Sequence, residues 1–502
     1  MIFDKKGAVL NTLDKVKVSL VLGLMAASSL FSATGYAATD NDVQVAAPAD
    51  SIQTDTTRIS LEQALQIALS ENVSVKVADK EVERAQYAKK GSYASLFPQI
   101  DGSASFQRTI EKQVMYMDFD MSSIMGGGSG ESPEGGEAGS TPSTSSSDKG
   151  GGGMEVGRWN TFAAGVNASL PVVNFQLWES LKISGQDVEL AVEKARSSRI
   201  EMVTQVKRAY FQVLFAKEAA AVYKEVYDNA LMNYEKIKMR YDVKSASELD
   251  LARSLTSLAN AIPNMYDSQN NVTLALWQLK ALMGVDLDMN IDTEGSLHDY
   301  ASEMTILYKD EELSLEHNST LKQLAIQAEQ LASNVKANQY AYLPSLSVAF
   351  VYQFNAMAND FNFSNYRWTP YSYVGVSLNI PIFSGGKRLN NVRAAKVQAS
   401  ELDLQRVETE RQFRISIRQN INSMESAMRS FEAADQALES ARKSYDITLA
   451  SYEIGGCTYT DLNDAQLALT QASLTAGQAV YNYLTAKAGL EGVLGNDFLE
   501  EK

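Results

Sequence analysis

His317-Asn318-Ser319-Thr320-Leu321-Lys322 leads to Tyr342-Leu343-Pro344 and then to Ser345-Leu346-Ser347-Val348-Ala349-Phe350-Val351-Tyr352-Gln353-Phe354. In the last ten residues Leu346, Val348, Phe350, Tyr352 and Phe354 alternate with Ser345, Ser347, Ala349, Val351 and Gln353, which predicts a strand with one apolar and one mainly polar face. The head of this stretch occurs twice. Glu71-Asn72-Val73-Ser74-Val75-Lys76 leads to Leu96-Phe97-Pro98, and 318 − 72 and 344 − 98 both give 246. Leu170-Pro171-Val172 likewise matches Ile380-Pro381-Ile382. Tyr241-Asp242-Val243, ahead of Leu249-Asp250-Leu251, matches Tyr452-Glu453-Ile454 ahead of Thr460-Asp461-Leu462. A tandem duplication is the simplest account.

Each repeat reads helix, strand, loop, strand, then two long helices, over residues 59–290 and 313–502, with a connection at 291–312. In the second repeat Val374, Val376, Leu378, Ile380 and Ile382 alternate mainly with Tyr373, Gly375, Ser377 and Asn379. The first repeat is weaker: Phe162, Ala164, Val166, Ala168 and Leu170 form one face, and residues 99–109 are polar at every odd position. Trp159, Phe162, Tyr366, Trp368, Tyr371 and Tyr373 gather at strand ends, as interface girdles do in membrane barrels, which favours a membrane sheet over a soluble sandwich.

The helices are marked by what they lack. No glycine falls between Gly185 and Gly284 or between Gly386 and Gly455. A helix over 178–241 would run ~95 Å. Val203, Val206, Tyr210, Val213, Ala220, Tyr223, Tyr227, Ala230, Tyr234, Ile237 and Tyr241 follow heptad spacing. So do Ile417, Ile421, Met424, Met428, Phe431, Leu438, Tyr445, Thr448 and Tyr452. Such seams belong to elongated helices packed on partners.

Lys5, Lys6, Lys15 and Lys17 precede an apolar run and then small residues to Ala37, the pattern of a secretory signal peptide over 1–37, followed by a linker at 38–58. The formal charge is −16, which argues against nucleic acid as a partner, since phosphate binding needs clustered cations. Cys457 is the sole cysteine, so no internal disulfide is expected. Residues 126–153 are Gly/Ser-rich, a composition that predicts a disordered extracellular loop between two strands. His298 and His317 are the only histidines, and neither sits in a cluster at ligand spacing, so no metal, cofactor or nucleophile–base catalysis is expected. A secreted enzyme and a coiled-coil adhesin are the rival classes; the duplication counts against the adhesin and the missing catalytic constellation against the enzyme.

Two strands per repeat give four per chain, too few to close a barrel, and an open edge in hydrocarbon costs several kcal/mol per unpaired backbone group. At least two chains must combine, and three would supply twelve strands. Because each strand pair runs into a pair of long helices, the same oligomer would continue as a helical tube. The expected fold class is mixed α and β, a membrane β-barrel shared by at least two chains and continued into a long α-helical coiled-coil tunnel; the outer-membrane trimer is what the resemblance described next implies.

The chain resembles the TolC family of outer-membrane efflux proteins over nearly its whole mature length. The residues that carry this are Ile59-Ser60-Leu61-Glu62-Gln63-Ala64-Leu65 with Ala68-Leu69 and Asn72, the Pro98/Pro344 pair, Pro381-Ile382-Phe383-Ser384-Gly385-Gly386, and Tyr452-Glu453-Ile454-Gly455-Gly456 leading to Asp461-Leu462-Asn463-Asp464-Ala465-Gln466. The resemblance implies a homotrimer in outer-membrane lipid that exports drugs, metal ions or polypeptides. It also implies a periplasmic adaptor and an inner-membrane pump as partners, and a tunnel closed near its periplasmic tip. Asp461 and Asp464, three apart, share a helical face. Threefold repetition would gather six carboxylates into a cation-favouring ring, and the resemblance places an acidic constriction there; otherwise they form a solvated face. Tyr452 and Asp250 resemble an interhelical lock in which a tyrosine hydroxyl bonds a carboxylate, and the alternative is an ordinary heptad tyrosine. Two departures stand out: Cys457 occupies a position often basic in the family, and Lys244-Ser245 lacks the glycine that Gly455 supplies in the second repeat.

Overall fold

The computed structural model describes residues 57–115, 154–304, 314–362 and 365–495. The signal peptide expected at 1–37, most of the linker at 38–58, the loop at 126–153 and the end of the connection near 305–312 lie outside the described residues.

The chain runs β1 (Thr57–Ile59), α1 (Leu61–Glu71), α2 (Val73–Ala94), β2 (Gln99–Arg108), β3 (Gln113–Met115), β4 (Met154–Val156), β5 (Asn160–Val173), α3 (Phe175–Asp242) and α4 (Glu248–Met283). It continues with β6 (Ile291–Thr293), a 3-10 turn (Leu297–Glu303), α5 (Ser319–Tyr340), β7 (Ser345–Ala358), β8 (Thr369–Asn379), α6 (Lys387–Glu453) and α7 (Tyr459–Leu494). The 68 residues of α3 and the 67 of α6 each span ~100 Å. The α3–α4 and α6–α7 hairpins form the most extensive helix contacts, and α3 also packs on α2, α5 and α7. Val206, Tyr210, Val213, Ala230 and Ile237 of the α3 seam are buried, as are Ile417, Met424 and Tyr445 of the α6 seam.

The duplication is carried into the packing. Asn72 caps α2 through Oδ1, which accepts from Ser74 N at 2.7 Å, while Nδ2 donates to Leu282 O at 2.7 Å. Asn318 repeats this for α5, with Leu321 N at 2.9 Å and Val493 O at 2.7 Å. In both repeats this side chain ties the start of a short helix to the end of a long one. Gly284 and Gly495 end those long helices with φ of 72° and 76°. An added Cβ at Gly284 would come within 2.9 Å of Glu71 O, and one at Gly495 would collide with His317 O. Positive φ and backbone contact together require glycine there.

The largest core lies where α1, α3, α4, α6 and α7 meet a parallel β1–β6 pair. The Tyr210 hydroxyl, fully buried, reaches Glu294 O at 2.6 Å and Ile59 O at 3.1 Å, and Lys217 pairs with Asp292. The sequence reading did not show this pair: three-residue strands are too short to reveal a period of two, so 57–58 read as linker, Ile59 as the start of the first repeat and 291–293 as part of the connection.

At the other end β2, β5, β7 and β8 form one antiparallel sheet in that order. Register places Ile100, Ala104 and Phe106 on one face with Val166, Ala164 and Phe162, then Tyr352, Phe354 and Phe350, then Val374, Val376 and Leu378. Val374 and Val376 are 70% and 69% exposed, so no described residue covers this part of the apolar face. β8 stops at Asn379, short of the Ile380–Ile382 continuation read from sequence. Pro381 has no N–H to donate, and its counterpart Pro171 is accommodated in β5 by a register shift between Pro171 and Val173. A short β3–β4 hairpin, not read from the sequence, extends beyond β2 and β5.

Candidate functional site

The end of the helical hairpins remote from the sheet is formed by two equivalent turns. Lys244 N donates to Tyr241 O at 2.8 Å and Ser245 N to Arg240 O at 2.7 Å. Gly455 N to Tyr452 O, 3.1 Å, and Gly456 N to Ser451 O, 2.8 Å, repeat the pattern. Lys244 has φ of 59° and Gly455 of 78°. The departure noted in the first repeat is therefore a lysine held in the left-handed conformation that glycine adopts freely in the second.

Each turn is followed by a capped helix. Thr458 Oγ1 accepts from Asp461 N at 3.3 Å, while Thr458 N and Oγ1 donate to Asp461 Oδ2 at 2.8 and 2.7 Å. Ser247 and Asp250 are the counterparts: Ser247 Oγ accepts from Asp250 N at 3.0 Å and donates to Asp250 Oδ2 at 2.7 Å. The hydrogen bonds from Thr458 hold the Asp461 carboxyl below its usual range. Asp461 thus has a capping role, while Asp464, exposed one turn further along, carries no hydrogen bond among those described. Both carboxylates remain on the exposed side of α7.

The hydroxyl–carboxylate bond expected between Tyr452 and Asp250 is absent among the described contacts, because Asp250 is turned back onto Ser247. Tyr452 instead meets Tyr459 edge-on, with ring centroids 6.1 Å apart. Burial pushes its hydroxyl pKa up, Arg240 opposes that shift, and Asp250 adds to it, so Asp250 lies in electrostatic range without bonding. Cys457 Sγ donates to Thr448 O at 3.4 Å, folding the thiol back against the end of α6.

Among the described residues, several side-chain links join the hairpins near this end, including a contact of Ser257 with the Tyr459 hydroxyl. Lys236 pairs with Glu453 at 3.0 Å, and Arg240 Nη2 donates to Glu453 O at 3.3 Å. Asn229 Nδ2 donates to Gln466 Oε1 at 3.1 Å, and Ser257 Oγ to Asn463 Oδ1 at 3.1 Å. Above them α3, α4 and α7 enclose an open cleft of about 720 Å³ whose lining includes Tyr223, Asn229, Asn260, Asn264, Asn463 and Gln466. The sequence reading missed this amide lining. Its available signal was the spacing of Asn229 with Asn233 and Asn260 with Asn264, four apart along helices otherwise seamed by Ala and Tyr.

A sheet with one apolar face left exposed, running into helices of ~100 Å each paired with a shorter one, is the architecture of an outer-membrane channel subunit, mixed α and β and mostly helical. The chain belongs to the outer membrane efflux protein family, whose model matches residues 64–285 and again 312–496. It is 22% identical over 342 residues to outer membrane protein TolC of Vibrio cholerae, covering 66% of this chain and 76% of that protein. It is 23% identical over 351 residues to the alkaline protease secretion protein AprF of Pseudomonas aeruginosa, covering 68% and 72%. The CmeC outer membrane channel of Campylobacter jejuni superposes with a TM-score of 0.65 at 19% identity over 88% of both chains. VceC of Vibrio cholerae gives 0.64 at 16% identity over 87% of this chain and 96% of that one. At these identities the superpositions carry the fold. The family places the chain in the outer membrane, with its helices extending into the periplasm, as an efflux or secretion channel protein and not an enzyme.

Proposed function

We propose that the chain is one third of a passive exit duct: three copies close a twelve-stranded barrel in the outer membrane and continue it as a periplasmic helical tunnel. An inner-membrane pump delivers the substrate and a periplasmic adaptor docks the pump to the tunnel, in a tripartite efflux or type I secretion system. The observation that supports this reading is the pair of unpaired edges, β2 and β8, on a sheet whose apolar face is exposed. In an antiparallel strand alternate residues bond to each side, so β2 alone would leave roughly ten backbone groups facing lipid. At ~2 kcal/mol or more each, that exceeds the whole 5–15 kcal/mol stability of an ordinary domain. Pairing β8 of one copy with β2 of the next removes this cost without changing the fold.

The gate in this proposal is the end of the hairpins. Threefold repetition gathers Asp464, and beside it the capping Asp461, around the tunnel mouth, where carboxylates attract cations. Tyr452 and Asp250 contribute to the same region through ring packing and charge. The links from Asn229, Lys236, Arg240 and Ser257 hold the second hairpin against the first. Reconstitution of the purified protein in planar bilayers tests the reading. A cation-selective pore that switches between closed and open states is expected, whereas protein that never conducts in any bilayer would overturn it.

A further inference from the structure

The sheet end remote from the helices brings cations beside aromatic rings, and one of them, Arg108, lies on the lipid-type face. Arg108 ends β2 on the same side as Ile100, Ala104 and Phe106, opposite Asn160 in register. Its guanidinium lies over the Phe361 ring, 5.8 Å from the centroid. That ring belongs to a cluster in which Phe106 stacks on Phe162 at 4.8 Å and Phe361 lies 6.0 Å from Phe106. Beside it Arg158 Nη1 donates to Met357 O at 3.2 Å, and Lys112 Nζ sits 4.7 Å from the centroid of Trp159. Arg108 and Arg158 are exposed, and no described carboxylate is within ion-pairing distance of either. Glu111, Glu155 and Asp360 belong to the same rim segments, so Arg108 and Arg158 are singled out by their exposure and, for Arg108, by the ring contact, and not by a net local charge.

A guanidinium stacked on a ring keeps its edge N–H groups free, and those match phosphate oxygens in pairs. At a membrane rim the aromatic rings set the depth of the headgroup layer, so the anion available at that depth is a lipid phosphate. The helices leave the sheet at its other end, beside Val173 and Asn379, so this rim faces away from the periplasm. We propose that it binds the phosphate groups of a phosphorylated glycolipid of the outer leaflet, with Arg108 and Arg158 as the phosphate-contacting residues and the Phe106–Phe162–Phe361 cluster against the acyl–sugar boundary. The inference rests on the outer-membrane reading above and adds a headgroup site to it.

The test uses the full detergent-purified oligomer and two probes, bis-phosphorylated lipid A and the same lipid with both phosphates removed, with retention measured by native mass spectrometry. Wild-type protein retains the phosphorylated probe preferentially. One interfacial cation is worth about fivefold in affinity. Arg108→Gln therefore weakens binding of that probe about fivefold, and Arg108→Gln with Arg158→Gln roughly twenty-five-fold if the two add. Arg108→Lys with Arg158→Lys keeps most of the preference. Equal retention of the two probes by wild-type protein overturns the proposal whether or not the glutamine variants assemble. So does a double glutamine variant that assembles and retains the phosphorylated probe as well as wild type. Bilayer conductance of wild-type protein is read separately: its absence counts against the channel and not against the headgroup site.

Discussion

Replacing Asn229 and Ser257 together by alanine removes the Asn229–Gln466 and Ser257–Asn463 links between the hairpins. The Asn229–Gln466 bond is partly buried and the Ser257–Asn463 bond exposed. An intramolecular hydrogen bond contributes about 0.5–1.5 kcal/mol net, so the first is taken near 1 and the second near 0.5 kcal/mol. The sum, about 1.5 kcal/mol, is roughly a tenfold change in an equilibrium constant per protomer. Gln466 and Asn463 border an open cleft, so water replaces the lost partners and no stranded-group penalty is added. Alanine is also a better helix former than Asn or Ser, so the helices themselves are not weakened. Single-channel recording in planar bilayers should show the closed-to-open ratio falling about tenfold at least, with the conductance of the open state unchanged. An unaltered ratio in an intact oligomer would refute the assignment of these links to the closed state, and an altered open conductance would mean that they line the pore.

Asp464→Asn should weaken cation selectivity and block by multivalent cations while leaving amide exchange at residues 458–462 unchanged; Asp461→Asn should raise that exchange. Because the Asp461 carboxyl is held below its usual range in the folded protein, its capping contribution is complete above the ordinary carboxylate pKa and is lost as pH falls through the lowered value, so exchange there, corrected for its intrinsic pH dependence, should rise on acidification below the ordinary carboxylate range. Gly495→Ala combines a positive φ with a collision at His317 O, and should lower stability by about 2 kcal/mol or more, read as earlier thermal dissociation of the oligomer. Tyr210→Phe leaves Ile59 O still bonded to Glu294 N and strips one partner from Glu294 O, so about 1 kcal/mol is expected, read as fivefold faster exchange across β1 and β6.

The long helices and the sheet were legible in the sequence because their signals are long. Residues 387–453 contain no glycine and keep one seam through nine turns or more, and the alternation in β7 runs without interruption from Leu346 to Phe354. The 246-residue repeat of Asn72 and Asn318 was visible as a pattern, and the structure supplies its cause in one amide that both caps a helix and binds a neighbouring helix end. The candidate site was less legible. Thr458-Tyr459-Thr460-Asp461 is a helix-capping signature, yet two carboxylates three residues apart in Asp461 and Asp464 invite an electrostatic reading instead. Tyr452 and Asp250 are brought into one region, but the competing Ser247 hydroxyl, three residues away in sequence, takes the carboxylate. Local capping bonds form at little entropic cost and win over longer-range partners. The amide-lined cleft depends on residues from three helices far apart in sequence, and no local pattern reports their meeting.

The central claim is that one copy's β8 edge closes on another copy's β2 edge until three chains complete the ring. Ser105→Cys on β2, combined in turn with Tyr373→Cys, Gly375→Cys or Ser377→Cys on β8, in a Cys457→Ser background, tests it by mild oxidation in native membranes and non-reducing electrophoresis. At least one pair should give a ladder of one, two and three linked chains that ends at three. A disulfide that closes within a single chain, or a ladder that continues past three, would contradict the account.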